Sequence, residues 1–194
     1  KISDYHFLAL LPSYLERKNS SLVAMIDYFI RHSNSPFSGF YLDNIPALLG
    51  DLEKLRNHPK KTILWGVTFA LLELAETFKP DLGHCLVFET GGMKGRREEI
   101  IRVELHSTLG KEFGVPCVYS EYGMTELLSQ CYTNGAERFY CPPWVRILGR
   151  DLADPHQKGL QNETAGINVI DLANWHTIAF IETEDLGKVY ENGS

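Results

Sequence analysis

Three short segments of the chain gather glycine, hydroxyl, aromatic and acidic residues at spacings that suit chemistry. In Glu89-Thr90-Gly91-Gly92-Met93-Lys94-Gly95-Arg96-Arg97, glycines follow an apolar run and precede an amphipathic one. Glycine lets backbone approach a ligand closely, and the free N–H groups at a helix start favour an anion. Lys94, Arg96 and Arg97 sit at the unfavourable end of that helix dipole unless an anion, or the acids Glu98 and Glu99, answers them. In Ser120-Glu121-Tyr122-Gly123-Met124-Thr125-Glu126, again after a strand and opening a helix, Tyr122 can stack on a base and Gly123 can admit a ligand. The Thr125 hydroxyl can bond a phosphate oxygen and the Glu126 carboxylate can hold Mg2+. Thr125 and Glu126 are equally ordinary residues for the first turn of a helix, where a carboxylate is favoured. In Phe180-Ile181-Glu182-Thr183-Glu184-Asp185-Leu186-Gly187, acids before a glycine suit a turn between strands, and a carboxylate there can accept both hydroxyls of a ribose.

The elements that must position these segments alternate over the first 134 residues. Apolar runs predict strands at 6–11, 39–42, 62–66, 85–89 and 117–120. Between them, Leu22, Ile26, Phe29 and Ile30 make one helical face over 21–32, with Ser20 or Ser21 as its cap. Asn44 can cap a helix over 44–57, with Pro46 in its first turn and Leu48, Leu52 and Leu55 as its stripe. Ile101, Leu105 and Leu109 predict a helix over 97–113 that Gly114 stops. Alternating strand and helix argues for a mostly parallel sheet flanked by helices. From 135 to 194 the texture is strand-rich, with strands expected at 138–148, 167–171, 177–182 and 188–190, and this predicts a second, barrel-like subdomain. The closing Asn192-Gly193 is a hairpin signal with no second strand after it, so this subdomain is expected to be truncated at its C-terminus. His6, His32, His58 and His84 recur at a fixed interval, but nothing else does, and no repeat is read from them.

Composition narrows the function. The 194 residues are 44% apolar and 23% charged, as in an ordinary globular protein long enough to build a core without staples. A net charge of −6, with no stripe of cations, disfavours a nucleic-acid partner. The apolar run over 62–72 is too short to span a bilayer, so no transmembrane segment is expected, and no secretory signal opens the chain. Cys85, Cys117, Cys131 and Cys141 show no metal-ligand spacing and are read as four reduced thiols of a cytoplasmic protein.

The order of the three segments resembles the adenylate-forming, acyl-CoA synthetase-like superfamily. Leu10-Leu11-Pro12-Ser13, the run from Glu89 to Arg96 and Glu121-Tyr122-Gly123-Met124-Thr125-Glu126 look most like its acyl-protein synthetase branch, the LuxE-type enzymes of bacterial fatty-acid reductase systems. The resemblance covers essentially the whole chain. It implies part of that superfamily's N-terminal domain, and ATP-dependent conversion of a fatty acid to acyl-AMP with transfer to a protein thiol. Carried over by position, Gly91 and Gly92 flank the adenine, Tyr122 packs on its face with Gly123 beside it, and Asp185 holds the ribose. Thr125 bonds the α-phosphate and Glu126 coordinates Mg2+. ATP or AMP and Mg2+ are the implied cofactors. A fatty acid or other carboxylic acid is the implied substrate, with an acyl reductase or acyl-carrying protein as partner. For the acyl chain, Leu64-Trp65-Gly66-Val67-Thr68-Phe69 offers an apolar slot, or simply core packing.

Parts of the family pattern fall outside these residues. The Ser/Thr/Gly-rich phosphate loop, the catalytic lysine of the small C-terminal domain and the acceptor cysteine have no counterpart here, so the chain is expected to be the central part of a longer enzyme, inactive alone. Glu184 stands where many members have glycine. Two other readings share the middle motif or the scaffold: a phenylacetate-type aryl-CoA ligase, and a non-catalytic nucleotide- or acyl-binding module.

Overall fold

The computed structural model describes residues 1–11, 20–91, 100–154 and 156–190. The chain divides into two compact units, Lys1–Ser120 and Glu121–Ser194. In the first unit β1 (Tyr5–Leu10), β2 (Gly39–Phe40), β3 (Lys61–Val67), β4 (Cys85–Thr90) and the start of β5 (Val118–Tyr122) pair in parallel in the order β2-β1-β3-β4-β5. The chain leaves β1 outward to β2 and then returns past β1 to β3. In such open sheets ligands settle beyond the carboxyl ends of the strands.

The helices form where periodicity and caps agree. The Ser20 side chain accepts from Val23 N–H to start α1 (Ser21–His32), and Asn44 accepts from Ala47 N–H to start α2 (Ile45–Leu55), with Pro46 in its first turn. α4 (Arg102–Phe113) ends at Gly114, whose φ of 65° is the left-handed conformation glycine adopts freely. α4 begins later than the expected residue 97. Ile101, expected on the buried stripe, is the N-cap and 70% exposed, while Leu105, Leu109 and Phe113 are buried.

α3 (Thr68–Thr77) has no counterpart among the elements named from the sequence. Thr68, Phe69, Ala70, Leu71 and Leu72 are buried without a break, so the apolar run of β3 passes straight into the helix, and its exposed residues, Glu73, Glu76 and Thr77, come only in the second half. Leu71 occupies the space that a Cβ on Gly66 would fill, with the two 2.7 Å apart. Leu64, Trp65, Val67 and Phe69 are likewise core residues, so this stretch packs the first unit rather than opening a slot. The opposite face carries an aromatic ladder. Trp65 stacks on Phe88 at 4.7 Å between centroids, Phe88 on Tyr119 at 4.9 Å, and Phe29 of α1 on Phe7 at 5.2 Å.

In the second unit the end of β5 pairs antiparallel with β6 (Cys131–Thr133), and β6 with β7 (Phe139–Tyr140). A second antiparallel sheet has the order β11-β10-β8-β9, formed by β8 (Val145–Arg150), β9 (Lys158–Leu160), β10 (Thr164–Asp171) and β11 (Phe180–Lys188). Leu127, Ile167, Val169 and Val189 form its core, with Tyr122, Met124, Val145, Ile147 and Ile181 packed on them. The expected strand over 138–148 is two strands, because Pro142 and Pro143 cannot donate to a ladder. The strands expected at 177–182 and 188–190 are one, β11. The Asn192-Gly193 hairpin signal lies outside the described residues.

Cys131 and Cys141 are joined as a disulfide, with their Cα atoms 4.4 Å apart, which corrects the reading of four reduced thiols. The β6–β7 hairpin brings them together, continuing the register Thr133↔Phe139 and Tyr132↔Tyr140 by one pair. The support that cysteine usage gave to a cytoplasmic location goes with it. Cys85 is buried, and burial pushes its thiol up to about 12. Among the described residues no helix is long and apolar enough to cross a membrane.

Candidate functional site

In the first unit the carboxyl ends of β4 and β5 carry a buried polar cluster. Glu89 is 7% exposed, Thr68 3% and Ser120 1%. The Ser120 hydroxyl donates to Glu89 Oε1, and the Thr68 hydroxyl reaches Glu89 Oε2 at 3.1 Å. His106 of α4 brings Nε2 to 2.9 Å from Ser120 Oγ and 3.5 Å from the Glu89 carboxylate. Parallel register aligns the cluster, since Glu89 lies opposite Ser120 on one side and Gly66 on the other. Immediately after β4, Gly91 is exposed with φ 73°, and its carbonyl accepts from Thr68 Oγ1 at 2.9 Å. Gly92 and the cations Lys94, Arg96 and Arg97 lie outside the described residues.

In the second unit Tyr122 and Asp185, 63 residues apart in sequence, meet: the phenol donates to Asp185 Oδ2 at 2.6 Å. Burial, and then the Asp185 carboxylate, hold the Tyr122 phenol above its usual range. Asp185 is exposed, and a bulge in β11 aims it. Asn168 pairs with Glu182 and Gly166 with Leu186, so three residues of β11 stand opposite Ile167. Inside the bulge the Thr183 hydroxyl donates to the Ile167 carbonyl at 2.7 Å and accepts from Asp185 N–H at 3.2 Å. The acidic segment was expected to be a turn between strands. It is a strand interrupted by this bulge, because the buried Thr183 hydroxyl satisfies the Ile167 carbonyl that the skipped ladder leaves over.

Thr125 and Glu126 are both exposed, and Gly123 is close-packed, with Gln130 Cγ 3.3 Å from where a Cβ would stand. No helix follows Tyr122, which corrects the expectation that this motif opens one. Leu127 N–H closes a turn onto the Met124 carbonyl at 3.1 Å. The N–H groups of Leu128 and Ser129, which a helix would use, donate to Asp171 Oδ2 at 3.0 and 2.9 Å. Asp171 is fully buried at the end of β10, and its Oδ1 accepts from Ser129 Oγ at 2.8 Å and Ala173 N–H at 3.1 Å. Asn174 Nδ2 donates to the Glu126 carbonyl at 2.6 Å, and Trp144 Nε1 to Ser129 Oγ at 2.9 Å. Asp171, Asn174 and Trp144 therefore set the loop that carries Thr125 and Glu126. Asp171-Leu172-Ala173-Asn174 reads locally as an Asx turn, and that is the one trace it leaves.

Among the described residues no group of three or more His, Cys, Asp or Glu side chains is arranged to hold a metal ion. The chemistry of a lone exposed carboxylate such as Glu126 suits Mg2+ bound chiefly through water and substrate phosphates, as that ion prefers.

Three solved structures share this fold. A long-chain-fatty-acid-CoA ligase from Archaeoglobus fulgidus aligns with a TM-score of 0.65 at 13% identity, over 100% of this chain and 43% of that one. An NRPS protein containing adenylation and PCP domains aligns at 0.58 and 15%, over 100% and 42%. A natural red emitting luciferase from Phrixothrix hirtus aligns at 0.55 and 15%, over 97% and 44%. The chain thus shares its fold with part of each of these proteins, a mostly parallel sheet flanked by helices followed by antiparallel strands as expected, and it spans less than half the length of the structures it matches. No protein-family model and no curated protein matches it.

Proposed function

We propose that the chain is the nucleotide-binding part of an ATP-dependent acyl- or aryl-activating ligase. The observation that carries this reading is the Tyr122–Asp185 hydrogen bond, which joins two motifs singled out separately in the sequence. A tyrosine held by a carboxylate offers a stacking surface beside an acceptor for ribose hydroxyls, and both are elements of a nucleoside site. In this reading Tyr122 packs on the adenine, Asp185 accepts from the ribose and Thr125 donates to the α-phosphate. The resemblance gives Gly91, Gly92 and Gly123 as the positions of close backbone approach. Glu126 would hold Mg2+, which when bound would supply charge stabilisation at the α-phosphate as the substrate's carboxylate attacks. The fold shared with an acyl-CoA ligase and an adenylation-domain protein supports the class.

Within that class we favour an acyl-protein synthetase-like enzyme acting on a fatty acid, with a protein thiol as acceptor, because the run from Glu89 to Arg96 and the Tyr122-Gly123-Met124-Thr125-Glu126 element together resemble that branch. Calorimetric titration with AMP tests the nucleotide site. Saturable binding that weakens on Asp185→Asn is expected, and no binding by a folded wild type overturns the reading. ATP–pyrophosphate exchange with fatty versus aromatic acids, in the full-length enzyme, then tests the substrate class.

A further inference from the structure

Thr68 has one hydroxyl hydrogen and two acceptors within reach, Glu89 Oε2 at 3.1 Å and the Gly91 carbonyl at 2.9 Å. Neither belongs to the helix that Thr68 opens, and Val67 at the N-cap of α3 makes no side-chain capping bond. The hydroxyl therefore ties α3 to the exit of β4 rather than capping its own helix. The rest of the cluster fixes the direction of each bond. A carboxylate only accepts, so the Ser120 hydrogen goes to Glu89 Oε1, and His106 Nε2 must then be the donor to Ser120 Oγ. Glu89 Oε1 is satisfied by this His106–Ser120 arm, while Oε2 competes with Gly91 for the single Thr68 hydrogen. Gly91 is an exposed residue. Its φ of 73° nevertheless accompanies a bond from that carbonyl to a threonine that is 3% exposed.

We propose that Thr68 is a positioning residue for Gly91: its hydroxyl, shared with the buried Glu89 carboxylate, fixes the Gly91 carbonyl where β4 ends. The consequence for binding rests on the nucleotide reading of Gly91 above; the tether itself does not. Two variants push the shared hydrogen in opposite directions. Thr68→Val keeps the shape and removes the hydroxyl. In Glu89→Gln the amide oxygen still accepts from Ser120, and its N–H donates to Thr68 Oγ1. The Thr68 hydrogen is then left wholly to Gly91.

The experiment reads the Gly91 carbonyl 13C resonance and AMP affinity by NMR titration of wild type, Thr68→Val, Thr68→Ser and Glu89→Gln. Thr68→Val should move the Gly91 carbonyl upfield and weaken AMP binding about fivefold, the worth of one hydrogen bond. Thr68→Ser should restore both values, and Glu89→Gln should move the carbonyl the other way. An unmoved Gly91 carbonyl in Thr68→Val overturns the tether. A moved carbonyl with unchanged AMP affinity overturns the positioning role. If wild type takes up no AMP, the nucleotide reading falls, and the carbonyl shift, read without ligand, still decides the tether.

Discussion

Removal of the Asp171 carboxylate should unfasten the loop that presents Thr125 and Glu126. Asp171 is fully buried and accepts four hydrogen bonds: from Leu128 N–H, Ser129 N–H, Ser129 Oγ and Ala173 N–H. Asp171→Ala leaves these donors without their acceptor, in a place water reaches poorly. Bonds to a charged group contribute roughly 1.5–3 kcal/mol each, but neighbours sharing one acceptor are not additive, so a total of about 3–4 kcal/mol is expected. For a unit of this size that corresponds to a fall in Tm of roughly 12 °C or more. Asp171→Asn should cost less, about 1–2 kcal/mol. Its amide oxygen can serve Leu128 and Ser129 N–H and its N–H can donate to Ser129 Oγ, while Ala173 N–H and the Ser129 hydroxyl hydrogen lose their acceptor.

Thermal unfolding followed by near-ultraviolet circular dichroism checks this, because Trp144 donates to Ser129 and reports the same network. The order wild type, Asn, Ala should hold in Tm, and the Ala variant should lose the tryptophan signal first. A Tm for Asp171→Ala within about 3 °C of wild type would show that the loop is held by its apolar contacts, chiefly Leu127, and not by the carboxylate.

Other consequences are as definite. His6 is buried, and desolvation, followed by His58 and Lys60, lowers its pKa to about 4. Between that value and the ordinary 6.5 the unfolded chain takes up a proton that the folded chain refuses. Stability is therefore full above about pH 6.5 and falls by up to about 3 kcal/mol towards pH 4; urea midpoints across that range, flattened in His6→Gln, would show it. Thiol counting of the denatured, unreduced chain should find only Cys85 and Cys117 free, and reduction of the Cys131–Cys141 bridge should lower stability by about 2–3 kcal/mol, as expected for a loop this short. Glu126→Gln should leave the fold within about 0.5 kcal/mol, since the side chain is exposed, yet lower ATP–pyrophosphate exchange in the full-length enzyme by orders of magnitude; exchange at the wild-type rate with unchanged Mg2+ dependence would remove its metal role. On the proposed ribose contact, Asp185→Asn should instead raise KM for ATP with a smaller effect on kcat, because such a contact is alike in ground and transition states.

What the sequence made legible follows from how locally each element is determined. Ser20, Asn44 and Gly114 start or stop their helices through bonds three or four residues away, and the expected helices over 21–32 and 44–57 appear close to their expected bounds. The strands of the first unit appear within one or two residues of expectation, because a strand buried on both faces shows as an unbroken apolar run. α3 was illegible for the same reason: its first five residues are all buried and prolong the apolar run of the strand before it. In the second unit the decisive partners are distant. The helix expected after Tyr122 has acceptable residues, and it is lost because Asp171, 42 and 43 residues on, captures the N–H groups it needs.

The candidate site divides along the same line. Tyr122, Thr125, Glu126 and Asp185, the ligand groups of the proposed function, announce themselves, because a group in that role needs a particular chemistry at a particular place. The groups that hold them do not, because any hydrogen-bonding residue arriving from the right direction will serve. Thr183 turns Asp185 out of its strand, Asn174 holds the Glu126 carbonyl and Thr68 holds that of Gly91. In sequence they are a threonine in an acidic run, an asparagine beside a tryptophan and a threonine at the end of an apolar stretch. Each is recognisable only once the sheet has set its neighbours. Such supports can change identity as long as a donor of the right reach remains, so rescue by Thr68→Ser is the sharper test of a support, and loss in Glu126→Gln the sharper test of a ligand group.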